Sequence, residues 1–141
     1  MIIKQLSIFL ENKSGRLTEV LEILGKEQIN ITALTIADTS EYGILRLIVS
    51  DPEKARQQLK KQDFSVNLTD VLSIATPNEA GSFAKALKIL SEDGISIEYM
   101  YAFSVGDKAI LVMRTNNQER SIKVLQEHKM ELLQASDLYN I

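Results

Sequence analysis

Asn12-Lys13-Ser14-Gly15-Arg16-Leu17 is the stretch whose residue types are best suited to hold a small molecule. An amide, a hydroxyl and a glycine stand just ahead of Leu17, Val20, Leu21 and Leu24, whose spacing predicts one apolar stripe on a helix. A helix start carries unpaired backbone N–H groups and the positive end of the peptide dipole, so the backbone from Ser14 to Leu17 is a candidate anion cradle. The Asn12 amide can both donate and accept, and Gly15 lets a ligand come close to the backbone. Sixty-six residues on, Asn78-Glu79-Ala80-Gly81-Ser82-Phe83 precedes Phe83, Ala86, Leu87 and Leu90 in the same way. The competing reading is structural: Asn is a common turn residue, and Ser14 can cap the helix. So short a motif is weak when it stands alone. Its return at matching positions favours binding.

Other chemistry has little to work with. His128 is the one histidine and there is no cysteine, so a metal site cannot be assembled from them. His128 has no Ser or Asp partner at recognisable spacing and falls near the end of a predicted helix, where a cation meets the negative dipole end. No glycine-rich loop ends in Gly-Lys-Ser. No cofactor is expected.

The elements that position the two turns follow from periodicity. Alternation predicts a strand over about 3–10, and the stripe predicts a helix over about 15–27. Ile29-Asn30-Ile31 to about Ala37 and Tyr42 to Ser50 read as strands around the polar loop Asp38-Thr39-Ser40-Glu41. Asp51-Pro52-Glu53 reads as an N-cap, a proline at the first helical position and an acidic first turn, opening a helix to about Lys61. Phe64, Val66 and Leu68 alternate as a fourth strand. The second half keeps this βαββαβ order. Leu72, Ile74, Leu87, Leu90, Ile95 and Ile97 match Leu6, Ile8, Leu21, Leu24, Ile29 and Ile31, apolar for apolar. Gly94 stands where a helix end needs positive φ, Val105-Gly106-Asp107-Lys108 predicts a tight hairpin, and Asn116-Asn117-Gln118-Glu119 resembles a capping box. Met130 and Leu132 mark the last strand.

The expected fold class is therefore α+β. Two ferredoxin-like βαββαβ units, 1–69 and 70–141, each have a four-stranded antiparallel sheet with helices on one face and pack side by side. Units of about 70 residues are near the lower limit for independent stability, so a homodimer is expected.

The turn Asn-x-x-Gly-x-Leu, the helix after it, Ile29-Asn30-Ile31, and Tyr42-Gly43-Ile44-Leu45-Arg46-Leu47-Ile48-Val49 with Asp51 resemble an ACT domain, the small-molecule-sensing module of amino-acid metabolism. The likeness covers nearly the whole chain as two tandem copies. In the second copy Phe83 replaces Leu17 and Ser96 replaces Asn30. The resemblance implies a regulatory protein that binds a free amino acid between ACT units. Asn12, Ser14, Gly15, Arg16 and Leu17, with Asn78, Ala80, Gly81, Ser82 and Phe83, then hold the carboxylate and ammonium. Backbone groups at Asn30-Ile31 and Ser96-Ile97 of the neighbouring unit complete the pocket, Asn12 opposite Ser96 and Asn78 opposite Asn30. An enzyme of amino-acid metabolism is the implied partner.

Composition fits that class. The formal net charge of −3 argues against nucleic acid, which needs clustered Lys and Arg, and no apolar run is long enough for a membrane partner. The start of the chain lacks the features of a signal peptide, and the absence of cysteine suits a cytoplasmic protein. Two alternatives use the same element order. Tyr99, Tyr101 and Phe103 share a face, as base-stacking residues of an RNA-binding domain do, but Ala33 and Thr35 stand at the matching places of the first copy. An acylphosphatase-like enzyme needs an arginine at its phosphate loop, where Arg16 is matched by Ser82. A subunit that uses the fold for assembly alone is the further rival.

Overall fold

The computed structural model of the protein describes residues 1–11, 13–38 and 42–141, with Asp38 described by its backbone alone. The expected loop Asp38-Thr39-Ser40-Glu41 lies mostly outside the described residues, as does Asn12. The polypeptide forms two compact units. One comprises Lys4–Thr69 with Ser136–Ile141, and the other Met1–Ile3 with Asp70–Ala135, so each terminal segment groups with the unit that it does not adjoin in sequence.

In the first unit, β1 (Ile3–Glu11), α1 (Arg16–Lys26), β2 (Ile31–Asp38), β3 (Tyr42–Val49) and α2 (Pro52–Lys61) lead into β4 (Ser65–Pro77). The strand order is β2-β3-β1-β4. β1 and β3 are antiparallel from Leu6↔Leu47 to Glu11↔Tyr42. Alternation sends Leu6, Ile8 and Leu10 to the same side as Leu45 and Leu47, where Val20 and Leu24 of α1 and Ala55 and Leu59 of α2 close the core. The predicted cap of α2 is formed: Asp51 accepts a hydrogen bond from the Lys54 N–H at 3.2 Å, with Pro52 at the helix start.

In the second unit α3 (Ser82–Glu92), β5 (Ile97–Val105), β6 (Lys108–Thr115), α4 (Gln118–Glu127) and β7 (Glu131–Leu132) follow the end of β4. The order β7-β4-β6-β5 repeats that of the first unit. β4 pairs with β6 from Leu72↔Met113 to Pro77↔Lys108, and Ala86, Leu90, Val124 and Leu125 cover Leu72, Ile74 and Leu111. The two-residue hairpin at Gly106-Asp107 forms, with Val105 opposite Lys108 and Gly106 at φ 62°.

Three features depart from the sequence expectations. The fourth strand of the first repeat and the first strand of the second are one strand, β4, because Leu68-Thr69-Asp70-Val71 contains no breaker. The capping box at Asn116–Glu119 is replaced by a simpler cap: Asn117 accepts from the Arg120 N–H at 3.1 Å, while Gln118 accepts from the Thr115 N–H at 2.7 Å. A terminal helix, α5 (Ala135–Tyr139), was not signalled by periodicity, since five residues are too few to show one. It is held within the first unit. Leu138 is fully buried and its carbonyl accepts from the Thr32 hydroxyl at 3.0 Å. The Tyr139 hydroxyl accepts from the Lys4 N–H at 3.0 Å and donates to the Lys4 carbonyl at 3.2 Å.

Candidate functional site

The two glycine turns have the same construction. Gly15 (φ 89°, ψ −10°) and Gly81 (φ 85°, ψ −9°) are each the N-cap residue in the left-handed region, which L side chains rarely enter. The Lys13 N–H donates to the Glu11 carbonyl at 2.7 Å, and the Glu79 N–H to the Pro77 carbonyl at 2.9 Å. The Arg16 N–H then reaches the Lys13 carbonyl at 3.3 Å, as the Ser82 N–H reaches that of Glu79 at 3.2 Å. Among the described residues no side chain caps either helix, and the N-cap position is Gly15 and not Ser14. Among the described residues the amides of Leu17 and Thr18, and of Phe83 and Ala84, have no hydrogen-bond partner. These are the donors that a helix start leaves for an anion.

The second turn lines an open cleft of about 800 Å³ that lies entirely within the second unit. Pro77, Asn78, Glu79, Ala80, Gly81 and Ser82 form one wall. Asp107 and Lys108 at the start of β6, Lys129, Met130 and Glu131 after α4, and Lys85 on α3 complete it, with Ala75 and Thr76 of β4 also in the lining. The Asn78 N–H is fixed by the Asp107 carbonyl at 2.9 Å. Lys108 is held by both Glu131 oxygens, at 2.8 and 3.0 Å, and this bonding pushes its pKa up. Lys85 and Lys129 have no ion-pair partner among the described residues.

The predicted strand-start residues are placed elsewhere. Pro77 pairs with Lys108 at one end of β6, whereas Ile97 pairs with Thr115 at the other. Within the second unit the Gly81 turn and Ser96-Ile97 are therefore at opposite ends of the sheet. The first unit is arranged likewise, with Glu11 opposite Tyr42 and Ile31 opposite Val49. The strand starts are also engaged locally. The Asn30 N–H donates to Ser50 Oγ at 2.9 Å, and the Ser96 N–H to Asn116 Oδ1 at 3.0 Å. The Asn30 and Ser96 carbonyls accept from the Ser50 and Asn116 N–H groups.

Arg16 and Leu17 of the first turn are engaged within their own unit. Arg16 Nη1 donates to Glu19 Oε2 at 2.9 Å, and the guanidinium lies 4.3 Å from the centroid of the Phe64 ring. Leu17 packs on the core, but its counterpart Phe83 is 38% exposed beside its turn. His128 caps the end of α4, with Nδ1 2.9 Å from the Val124 carbonyl. Tyr99, Tyr101 and Phe103 share a face, as expected, and are half-buried. Sequence reasoning missed Thr76, Lys85, Lys108, Lys129 and Glu131. Thr76 had one signal: it is the polar residue where the first repeat has Leu10.

The chain matches the ACT domain pair family over residues 1–141. The Escherichia coli acetolactate synthase isozyme 3 small subunit is 35% identical over 72 residues, 50% of this chain and 43% of that protein. The acetolactate synthase small subunit of Buchnera aphidicola is 27% identical over 67% of this chain and 59% of its own length. The chain thus spans about half the length of these relatives. A crystal structure of a protein from Bacteroides thetaiotaomicron is 56% identical, with a TM-score of 0.97 over 100% of this chain and 98% of that one. The ligand-free regulatory subunit of aspartate kinase from Thermus thermophilus shares the fold at 10% identity, with a TM-score of 0.64 over 88% of this chain and 90% of that one. The chain belongs to the ACT domain pair family.

Proposed function

We propose that this ACT pair binds a free amino acid at its glycine helix starts and regulates an enzyme of amino-acid metabolism without catalysing a reaction itself. The observation that carries this reading is the repeated turn: two left-handed glycines stand at two helix starts whose first-turn amides have no partner among the described residues. Amides at a positive dipole end suit the ligand carboxylate, and an asparagine amide suits both carboxylate and ammonium. Kinship with acetolactate synthase small subunits supports a regulatory partner of that enzyme class.

Because the turn and the strand start of one unit are at opposite ends of its sheet, completion of the pocket by Asn30-Ile31 or Ser96-Ile97 requires a second unit, in the same chain or in a homodimer. Ligand binding then shifts the population of contacts with the regulated enzyme. A cytoplasmic setting fits this role. The rival reading, assembly without a ligand, is favoured by one observation: the N–H and carbonyl groups of Asn30 and Ser96 already have partners.

A thermal-shift screen of the twenty amino acids separates these readings. A ligand at 100 times its Kd adds about 2.7 kcal/mol to stability. No shift with any of them overturns the sensor reading.

A further inference from the structure

We infer that the two helix starts are not equivalent, and that the second unit alone anchors the carboxylate of an α-amino acid, through the α3 amides, Lys85 and Thr76. This rests on the sensor reading above and adds which start binds and by which residues.

Helices commonly complement their own N-terminal dipole with an acid. α1, α2 and α4 do so with Glu19, Glu53 and Glu119, whereas the first turn of α3 has no acid. Lys85 of α3 stands at the position of Glu19 and lines the cleft. An anion arriving at α1 meets Glu19 and its ion pair with Arg16; at α3 it meets an ammonium.

Thr76 is the independent observation. Leu72 and Ile74 face the helix-side core, and unbroken pairing of β4 with β6 carries that alternation to Thr76, in the lining of the cleft. Thr76 is 4% exposed and its hydroxyl has no hydrogen-bond partner among the described residues. Burying an unpartnered hydroxyl is costly, and a carboxylate oxygen that accepts from it relieves the cost. The first repeat has Leu10 there, packed in its core.

The remaining charges define the ligand class. Glu131 is matched by Lys108, which leaves Glu79 and Asp107 as acids of the cleft lining beside Lys85 and Lys129. That balance suits a zwitterion over a dianion such as phosphate.

The test is titration of the full-length ¹⁵N-labelled chain with glycine, the smallest α-amino acid, and separately with inorganic phosphate, while amide resonances are followed. Saturable shifts at Phe83 and Ala84, absent at Leu17 and Thr18, are expected with glycine and not with phosphate. Lys85→Glu, at an exposed position, should weaken glycine binding about tenfold or more, and the near-isosteric Thr76→Val severalfold. Equal response at both helix starts, stronger binding of phosphate, or a Lys85→Glu variant that binds like the parent would overturn the inference and leave amino-acid sensing standing. If neither glycine nor any other of the twenty amino acids binds the parent, both fall.

Discussion

Gly15 and Gly81 adopt one backbone conformation, φ 89° and 85°, sixty-six residues apart in the chain and in different units. A Cβ built on either glycine has nothing within 4 Å. The demand for glycine at these two positions therefore comes from the backbone angle and not from crowding.

Substitution of these glycines separates angle from helix propensity. Gly81→Ala and Gly15→Ala should each lower stability by about 1–2 kcal/mol, the cost of left-handed backbone for an L residue. Gly25→Ala, inside α1 at ordinary φ and with open space around its Cβ, should raise stability by roughly 0.5–1 kcal/mol. Urea midpoints at constant slope provide the comparison.

Leu24 and Leu90 occupy equivalent helix positions, both fully buried. Leu24→Ala and Leu90→Ala should each cost about 2–5 kcal/mol. Thermal unfolding of the two variants checks whether the repeated cores are equally well packed.

Tyr139 ties the last helix to Lys4 by two hydrogen bonds. Tyr139→Phe should cost about 1–2 kcal/mol. Burial pushes the phenol above its ordinary value of 10.0, so its folded state binds the proton more tightly. The associated stability is full below that ordinary value and is lost as pH rises through the higher folded value. The Phe variant should lack this alkaline loss, as denaturant midpoints followed across that pH range would reveal.

Asp93 takes two hydrogen bonds from Arg120, at 2.7 and 2.9 Å, and these hold its carboxyl below the ordinary 3.8. A lowered folded value gives stability that is present above 3.8 and lost as pH falls through the folded value. Arg120→Ala should flatten that part of the acid limb. An unchanged acid limb in the variant would count against the pair.

Much of this architecture could be read from residue order because local and global signals agree. The helix stripes, the Asp51-Pro52 start and the Gly106 hairpin each have local causes. What stayed hidden was non-local or lacked its usual residue. The ends of α1, α2 and α4 use left-handed Gln28, Asp63 and Lys129 at φ 60°, 63° and 58°, where glycine would have been the visible marker. β4 runs on because nothing stops it, and the end of a strand is signalled by a breaker. At the site, the glycine turns were legible from spacing. The cleft was not, because Lys108, Lys129 and Glu131 converge on it through strand pairing and a helix end.

Isothermal titration of the parent and of Gly81→Val with the amino acid that gives the largest thermal shift tests the central claim most directly. The account predicts saturable binding by the parent and at least about a tenfold loss in the variant, with the variant still folded by circular dichroism. Equal affinity in the two proteins, or heat from neither, would contradict it.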